Sequence, residues 1–300
     1  MEACRLNKYL SAVGLCSRRE ADRLIAEGRL LVNGKPAQTG QQVDGTEQIL
    51  LDGKPLGGLL CGGEDAALPK QGAAGKPLQK PEPVLLLFHK PRGLVCTASH
   101  KDRAPNVIDY IGYGSHIYPI GRLDKESEGL LLLTNQGELV NQINRARYGH
   151  EKEYLVSCRY ALSPSCLQHL AAGVEIQVPV RGKPGAFSTV RTRPCQVVQV
   201  DRSSFRIILT QGLNRQIRRM CAALGNEVVL LRRLRVMNLE LGTLKPGEFR
   251  RATRAEWQEL RCLLSGKEIE SENDRTGEPR NRRKTGPKKT EAEKTELENR

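Results

Sequence analysis

The run at 121–135, GRLDKESEGLLLLTN, places one carboxylate between two cations just before an apolar segment. Asp124 stands between Arg122 and Lys125, whose positive charges favour the ionised form of a nearby carboxylate. Glycines on both sides allow sharp turns, and the leucine run that follows predicts a core strand. This arrangement would hold a reactive carboxylate ionised and exposed on a rigid base. An ordinary salt bridge from Asp124 to Arg122 or Lys125 would use the same residues.

The same run resembles the active-site motif of the pseudouridine synthases, in the branch named for a small-subunit ribosomal RNA enzyme and its large-subunit relatives. The resemblance implies that Asp124 is the catalytic carboxylate of an enzyme that isomerises uridine to pseudouridine in RNA. It also implies that Arg122 lies near the space that a flipped base vacates, with a salt bridge inside the loop as the alternative. Whether Asp124 attacks the sugar or removes a proton from it stays open. The isomerisation has no net redox change, so we expect neither a cofactor nor a metal.

The segment HEKEYLV at 150–156 contributes an aromatic residue to the resemblance. Tyr154 matches the tyrosine of the second family motif, which makes it the candidate platform for the base. An aromatic ring stacked on a base contributes about 1 to 3 kcal/mol. A tyrosine in a strand also serves as ordinary core, which is the alternative role. Lys152, at the start of the same strand, is a candidate RNA contact.

The segment GLNRQIRRMC at 212–221 supplies the basic residues. On a helical wheel Arg218 lies at the border of the buried stripe, from which an arginine can reach inward to a cleft. The resemblance implies that Arg218 pairs with the catalytic aspartate, Asp124. Arg215 and Arg219 fall on the opposite, solvated side, so we assign them to RNA phosphates.

Residues 4–56 predict a compact module of two helices followed by short strands. The motif Ser17-Arg18-Arg19-Glu20 predicts a capping box, and Asn33-Gly34 predicts a hairpin. Arginines cluster on the second helix, where they suit phosphate oxygens, although a solvated face is the alternative. The stretch RLNKYLSAVGLCSRREADRLIAEGRLLVNGK resembles the alpha-L RNA-binding domain, which favours RNA contacts by Arg18, Arg19, Arg23 and Arg29.

The charge of the chain indicates a polyanionic partner. Its 300 residues include 48 Lys+Arg and 34 Asp+Glu, a formal net charge of +14. Residues 83–266 hold 27 basic and 15 acidic side chains, so the excess belongs to the centre of the chain. The nine cysteines are scattered without metal-ligand spacing, which is typical of reduced thiols. With no apolar run long enough for a membrane helix, we expect a cytoplasmic monomer that does not bind membranes.

The predicted organisation has two domains. The RNA-binding module at 4–56 precedes a Gly/Ala/Pro-rich flexible linker at 57–83, a catalytic domain at 84–266 and a disordered charged tail at 267–300. Strand signals dominate 84–266 without strict alternation with helices. We therefore predict an α+β domain on a central, largely antiparallel mixed sheet.

Three alternatives concern function. Within the family, the resemblance is greatest to the F-type synthases of large-subunit (23S) ribosomal RNA, but the same chemistry on a transfer RNA anticodon arm stays open. A non-catalytic ribosome assembly factor would keep the RNA-binding surfaces without the aspartate. A two-carboxylate glycosidase using Glu126 and Glu128 lacks the aromatic sugar platform that such enzymes need.

Overall fold

The computed structural model describes residues 3–56, 81–96, 104–114, 116–144, 149–180 and 182–266. Most of the predicted linker and the whole predicted tail lie outside the described residues. Within them, no helix is long and apolar enough to cross a membrane.

The N-terminal module packs two helices against small sheets, as the sequence predicts. Its elements are β1 (Cys4–Arg5), α1 (Leu6–Ala12), α2 (Arg18–Ala26), β2 (Leu30–Val32), β3 (Lys35–Pro36), β4 (Gln42–Val43), β5 (Ile49–Leu51) and β6 (Lys54–Pro55). Asn33 and Gly34 have φ values of 51° and 76°, which suit the predicted hairpin turn between β2 and β3. Leu10, Leu30 and Val43 are among the buried residues of the module's own core.

Only half of the predicted capping box forms at the start of α2. The Ser17 hydroxyl accepts a hydrogen bond from the Glu20 amide at 3.2 Å. The Glu20 carboxylate pairs with Arg23 instead of returning to the backbone of Ser17. The hydroxyl alone still satisfies one of the free amides of the first turn.

The second domain is built on one large mixed sheet. Its strands run in the order β13-β14-β10-β15-β9-β7-β17, with β16 paired to β15 and β8 to β9, nine strands in all. The pair β9 and β15 is parallel, and the other pairs are antiparallel. The strands are β7 (Leu85–Lys90), β8 (Tyr118–Ile120), β9 (Glu128–Thr134), β10 (Lys152–Cys158), β13 (Gln196–Gln199), β14 (Ser204–Leu209), β15 (Val228–Val236), β16 (Leu239–Glu240) and β17 (Phe249–Arg251). The predicted α+β class is confirmed.

Helices and a separate hairpin pack around this sheet. The helices are α3 (Val107–Ile111), α4 (Gly137–Asn144), α5 (Pro164–Ala172), α6 (Gln216–Ala223) and α7 (Arg254–Ser265), and the hairpin is β11 (Glu175–Pro179) with β12 (Phe187–Arg191). Strand β9 has leucines buried on both faces, with Leu130 and Leu132 in one cluster and Leu131 and Leu133 in another. Because both faces of β9 are buried, its sequence is a continuous apolar run and does not alternate between apolar and polar residues.

The sequence interpretation missed β15, one of the strands at the centre of the sheet. Its sequence, VVLLRRLRV, interrupts the apolar pattern with three arginines. Two of these arginines form ion pairs: Arg232 pairs with Glu128 and Arg235 pairs with Glu151. Charged residues at these positions hide the period-2 pattern that would otherwise predict a strand.

A capping box is complete at the start of α7, where Thr253 and Glu256, three residues apart, predict one from the sequence. Glu256 accepts hydrogen bonds from the Thr253 amide at 2.8 Å and from Arg250 at 2.6 and 2.7 Å. The bond from Arg250 is the main reason that the pKa of Glu256 falls from its ordinary 4.5 to about 2. A carboxyl whose pKa falls on folding stabilises the protein at neutral pH, and this stabilisation is lost as pH drops through the folded pKa.

We therefore expect Glu256→Gln to lower the free energy of unfolding by about 1 to 2 kcal/mol at pH 7. Thermal unfolding of both proteins between pH 7 and pH 3 checks this. The difference in melting temperature should shrink below about pH 4.5, where the unfolded carboxyl begins to bind a proton. A difference that stays constant down to pH 3 would contradict the role of the charge.

Candidate active site

The loop between β8 and β9 holds Asp124 in a fixed turn. Gly121 begins the loop and Gly129 is the second residue of β9, and both have the positive φ that the glycines were expected to allow, +76° and +105°. Inside the loop the Ser127 amide donates to the Asp124 carbonyl at 3.0 Å. The buried strand β9 follows at once, which gives the loop a rigid base.

A fully buried lysine ties this loop to the next strand of the sheet. The Lys90 ammonium donates to the carbonyls of Ser127 at 2.7 Å, Pro91 at 2.9 Å and Lys125 at 3.5 Å. Burial lowers the pKa of Lys90, and the negative charges of Asp124 and its acidic neighbours act in the opposite direction. The lysine thus fixes the backbone on the C-terminal side of Asp124.

Replacing Lys90 by methionine keeps the volume but leaves these buried carbonyls without a donor. We expect Lys90→Met to lower the free energy of unfolding by about 1 to 3 kcal/mol. Lys125→Met, which changes an exposed side chain of the same loop, should change it by less than about 0.5 kcal/mol. Urea unfolding of both variants measures the difference, and equal stability of the two would refute the anchoring role of Lys90.

Two arginines approach the Asp124 carboxylate from the loop before α6 and from α6 itself. The distance from the Arg215 Nη1 to Oδ2 is 3.6 Å, and that from the Arg218 Nε to the same oxygen is 3.9 Å. Both lie within ion-pair range but beyond a direct hydrogen bond. These contacts replace the loop salt bridge to Arg122 or Lys125 that the sequence left open.

Arg218 is held in place by groups other than the aspartate. Its Nη1 donates to the Val228 carbonyl at 3.0 Å, and its Nη2 donates to Ser127 Oγ at 3.3 Å and more weakly to the Glu126 carbonyl. Its buried Nε has no acceptor among the described residues and is the nitrogen nearest Asp124. Burial and the neighbouring Arg215 lower the pKa of Arg218. The helical wheel predicted that the Arg218 side chain reaches inward from the border of the helix, and these contacts agree with that prediction.

Arg215 is exposed, as predicted, but it does not lie on the helix and it pairs with Asp124. Helix α6 begins at Gln216, and Arg215 precedes it with a φ of 51°, a left-handed conformation that is uncommon for arginine. A helical wheel does not apply outside the helix, and the side chain turns toward Asp124 and Glu126. Arg219 does lie on the helix, and it donates to the carbonyls of Asn214 and Gln177.

A cleft of about 590 Å³ brings together five of the predicted site residues, while Arg218 and Arg219 are not part of its lining. Its lining includes Asp124, Tyr154, Arg122, Lys152 and Arg215. This volume is in the range of small-molecule sites and can admit one nucleotide. The wall therefore combines a carboxylate, an aromatic ring and several cations, the groups needed to hold a base while chemistry occurs at its sugar.

The position of Tyr154 suits both of the roles that the sequence left open. Tyr154 is half-buried on β10 and packs against two clusters of buried residues. It also lines the cleft. The same strand starts at Lys152, whose ammonium donates to the His150 carbonyl at 3.1 Å and whose pKa burial lowers to about 8.

The arginines of the N-terminal module are all exposed, but two of them have acidic partners. Arg23 pairs with Glu20, and Arg29 pairs with Asp52. Arg18 and Arg19 make no ion pair in the part of the chain that the structure describes. These two are therefore better placed for an external anion.

Sequence reasoning missed two buried cations of this region, Lys90 and Arg233. Lys90 stands in a Lys-Pro-Arg-Gly segment, which by itself predicts only the end of the apolar strand before it. Arg233 lies on the strand that was missed and lines the cleft. An isolated basic residue at the end of an apolar run was the available signal for Lys90. Among the described residues no cluster of side chains could hold a metal ion.

Comparisons with known proteins identify the family of this chain. A family profile described as RNA pseudouridylate synthase matches residues 84–223, and one described as S4 domain matches residues 4–49. The dual-specificity RNA pseudouridine synthase RluF of Salmonella typhi is 39% identical over 92% of this chain and 85% of its own length. The ribosomal large subunit pseudouridine synthase B of Bacillus subtilis is 32% identical over 86% of this chain and 96% of its own.

A solved structure extends the agreement to the fold. A crystal structure of a pseudouridylate synthase superposes with a TM-score of 0.55 and 25% identity, covering 85% of this chain and 99% of that one. Both of these relatives are named as pseudouridine synthases, which favours an enzyme over a non-catalytic assembly factor. The chain belongs to the RNA pseudouridine synthase family and is an enzyme that isomerises uridine to pseudouridine in RNA.

Proposed function

We propose that Asp124 is the catalytic carboxylate of this isomerisation and that the substrate is large-subunit ribosomal RNA. The observation that carries the first part is the position of Asp124 on the cleft wall with Arg215 and Arg218 beside it. A carboxylate that accepts no direct hydrogen bond from these arginines keeps its oxygens available for a substrate atom.

The proposed roles follow from the bonds that change. The bond between ribose C1′ and uracil N1 breaks, the base turns, and C5 of the base joins C1′. Asp124 acts at the sugar, either by attacking C1′ or by removing a sugar proton, and Tyr154 provides a face for the free base. Arg218 provides the counter-charge through its free Nε. C5 loses its proton to water and N1 gains one, so the atoms balance without a co-reactant.

The basic side chains around the cleft and on the N-terminal module are proposed to bind the RNA backbone. Arg122, Lys152, Arg215 and Arg219 surround the cleft or the helix beside it, and the module adds Arg18 and Arg19, with Arg23 and Arg29 in weaker, paired positions. Splayed loops and bulges are the places where one base can leave its stack, so a stem-loop is the proposed target. Arg122, exposed at the cleft, is proposed to fill the gap in that stack.

The choice of ribosomal RNA rests on the names of the relatives. One relative acts on the large ribosomal subunit, and another is called dual-specificity. A transfer RNA anticodon arm is therefore the second candidate substrate. Since one chain carries the whole site, we propose a monomer, and we place it in the cytoplasm, where both RNAs are found.

The substrate proposal is tested with two unmodified transcripts, one of large-subunit ribosomal RNA and one of a transfer RNA. Each is incubated with the protein, and pseudouridine is located by carbodiimide adducts that stop reverse transcription. We expect a single strong stop in a stem-loop of the ribosomal transcript. A stop only in the anticodon arm would replace the ribosomal substrate by the transfer RNA, and no stop in either would refute both.

A further inference from the structure

Arg233 is a buried arginine whose hydrogen bonds are incomplete. It is 2% exposed, and its Nε donates to the Leu130 carbonyl at 2.6 Å. Its buried Nη2 has no acceptor among the described residues. A buried donor without a partner costs about 1 to 3 kcal/mol, so stability alone does not account for this guanidinium.

The sheet register puts Arg233 beside the proposed base platform. Arg233 on β15 stands directly opposite Tyr154 on β10, and residues directly opposite in a sheet share a face. Lys152, two residues before Tyr154, points to that face as well. All three side chains line the same cleft as Asp124.

The two cations lie close enough to influence each other. The charge of Arg233 contributes, after burial, to the lowered pKa of Lys152. Two like charges in one buried wall are unfavourable unless something negative or strongly polar faces them. An RNA phosphate would stay at the solvated rim of a cleft, whereas a flipped base enters it.

We propose that Arg233 is a catalytic residue whose Nη2 donates a hydrogen bond to a carbonyl oxygen of the uracil ring. This inference rests on the proposed function. When the C1′–N1 bond breaks, its electron pair stays on the base, and the negative charge spreads onto the ring carbonyl oxygens. A donor aimed at such an oxygen stabilises the departing base by more than it stabilises the neutral uridine. The charge disappears when the bond from C5 to C1′ forms and N1 takes a proton.

The test compares target RNA containing uridine with the same RNA containing 5-fluorouridine at the modified position. Fluorine at C5 withdraws electrons, so the base leaves more easily and depends less on a hydrogen-bond donor. Single-turnover rates at saturating protein are measured from the loss of the original nucleoside in nuclease digests. We expect Arg233→Met to slow the uridine reaction about 100-fold and the 5-fluorouridine reaction about 10-fold or less.

Arg232→Met is the matched control, because Arg232 is the adjacent arginine of the same strand and pairs with Glu128. It should stay within about threefold of the parent on both RNAs. Equal losses on both RNAs for Arg233→Met would show a purely structural role and overturn the inference, as would full activity. If Arg233→Met does not fold, Arg233→Lys, which keeps a charge but lacks Nη2, decides by the same comparison.

The activity of the parent protein on the two RNAs distinguishes a failure of this inference from a failure of the proposed function. A parent that converts neither RNA means that the proposed substrate or chemistry has failed. A parent that converts both, with no difference between substrates in the Arg233 variants, means that only the inference about Arg233 has failed.

Discussion

Replacing Asp124 by asparagine is expected to abolish pseudouridine formation while folding and RNA binding persist. An amide neither attacks C1′ nor accepts a proton from the sugar, so the rate should fall by roughly 10⁴-fold or more. The carboxylate is partly exposed and makes only long contacts with two arginines, so its loss removes little stabilisation. Single-turnover conversion of the target RNA, with filter binding of the same RNA, measures both effects.

Glu126→Gln provides the matched control for this prediction. Glu126 lies two residues from Asp124, its carboxylate is 3.5 Å from Arg215, and it is largely exposed. The same carboxylate-to-amide change there should leave the rate within about threefold of the parent. A comparable loss in both variants would mean that the acidic loop acts through its net charge and that Asp124 has no separate role.

Replacing Gly129 by alanine is expected to cost more stability than any other single change considered for this loop. Gly129 has a φ of +105°, and a Cβ there would overlap the backbone oxygen and nitrogen of Arg233. Backbone atoms cannot move aside as a side chain does, and this is the only parallel strand pair in the described sheet. We expect a loss of about 4 kcal/mol or more and an inactive protein.

Gly182→Ala separates steric overlap from backbone strain. Gly182 also has a positive φ, +79°, but a Cβ there would meet nothing within 4 Å. Alanine at that position should cost only about 1 to 2 kcal/mol, the penalty for the left-handed region. Calorimetric melting of both variants gives the comparison, and similar losses in the two would show that the approach to Arg233 is unimportant.

Local patterns predicted much of this architecture because the relevant interactions are local. The buried run of β9 follows from uninterrupted leucines, and the capping box at Thr253 follows from a hydroxyl and a carboxylate three residues apart. The sharp backbone bends at Gly121 and Gly129 were predicted because few residues other than glycine adopt a positive φ. Each of these features is determined within a few residues of itself.

Features that depend on distant backbone atoms were not predicted. The pairing of Arg215 with Asp124 was missed because the helix was predicted to begin at Asn214, two residues before its actual start at Gln216. Lys90 binds carbonyls of the Asp124 loop, which is more than 30 residues away in sequence. Arg233 acquires its place from strand pairing across the sheet. No periodic pattern encodes these contacts, since only the folded chain brings the groups together.

The most direct test of the central claim uses target RNA with tritium at C5 of uracil. Joining C5 to the sugar expels that atom into water, whereas RNA binding or glycosidic cleavage alone does not. We predict that the parent releases tritium in proportion to the pseudouridine formed and that Asp124→Asn, bound to the same RNA, releases none. Tritium release by Asp124→Asn at the parent's rate would contradict the assignment of Asp124 as the catalytic carboxylate.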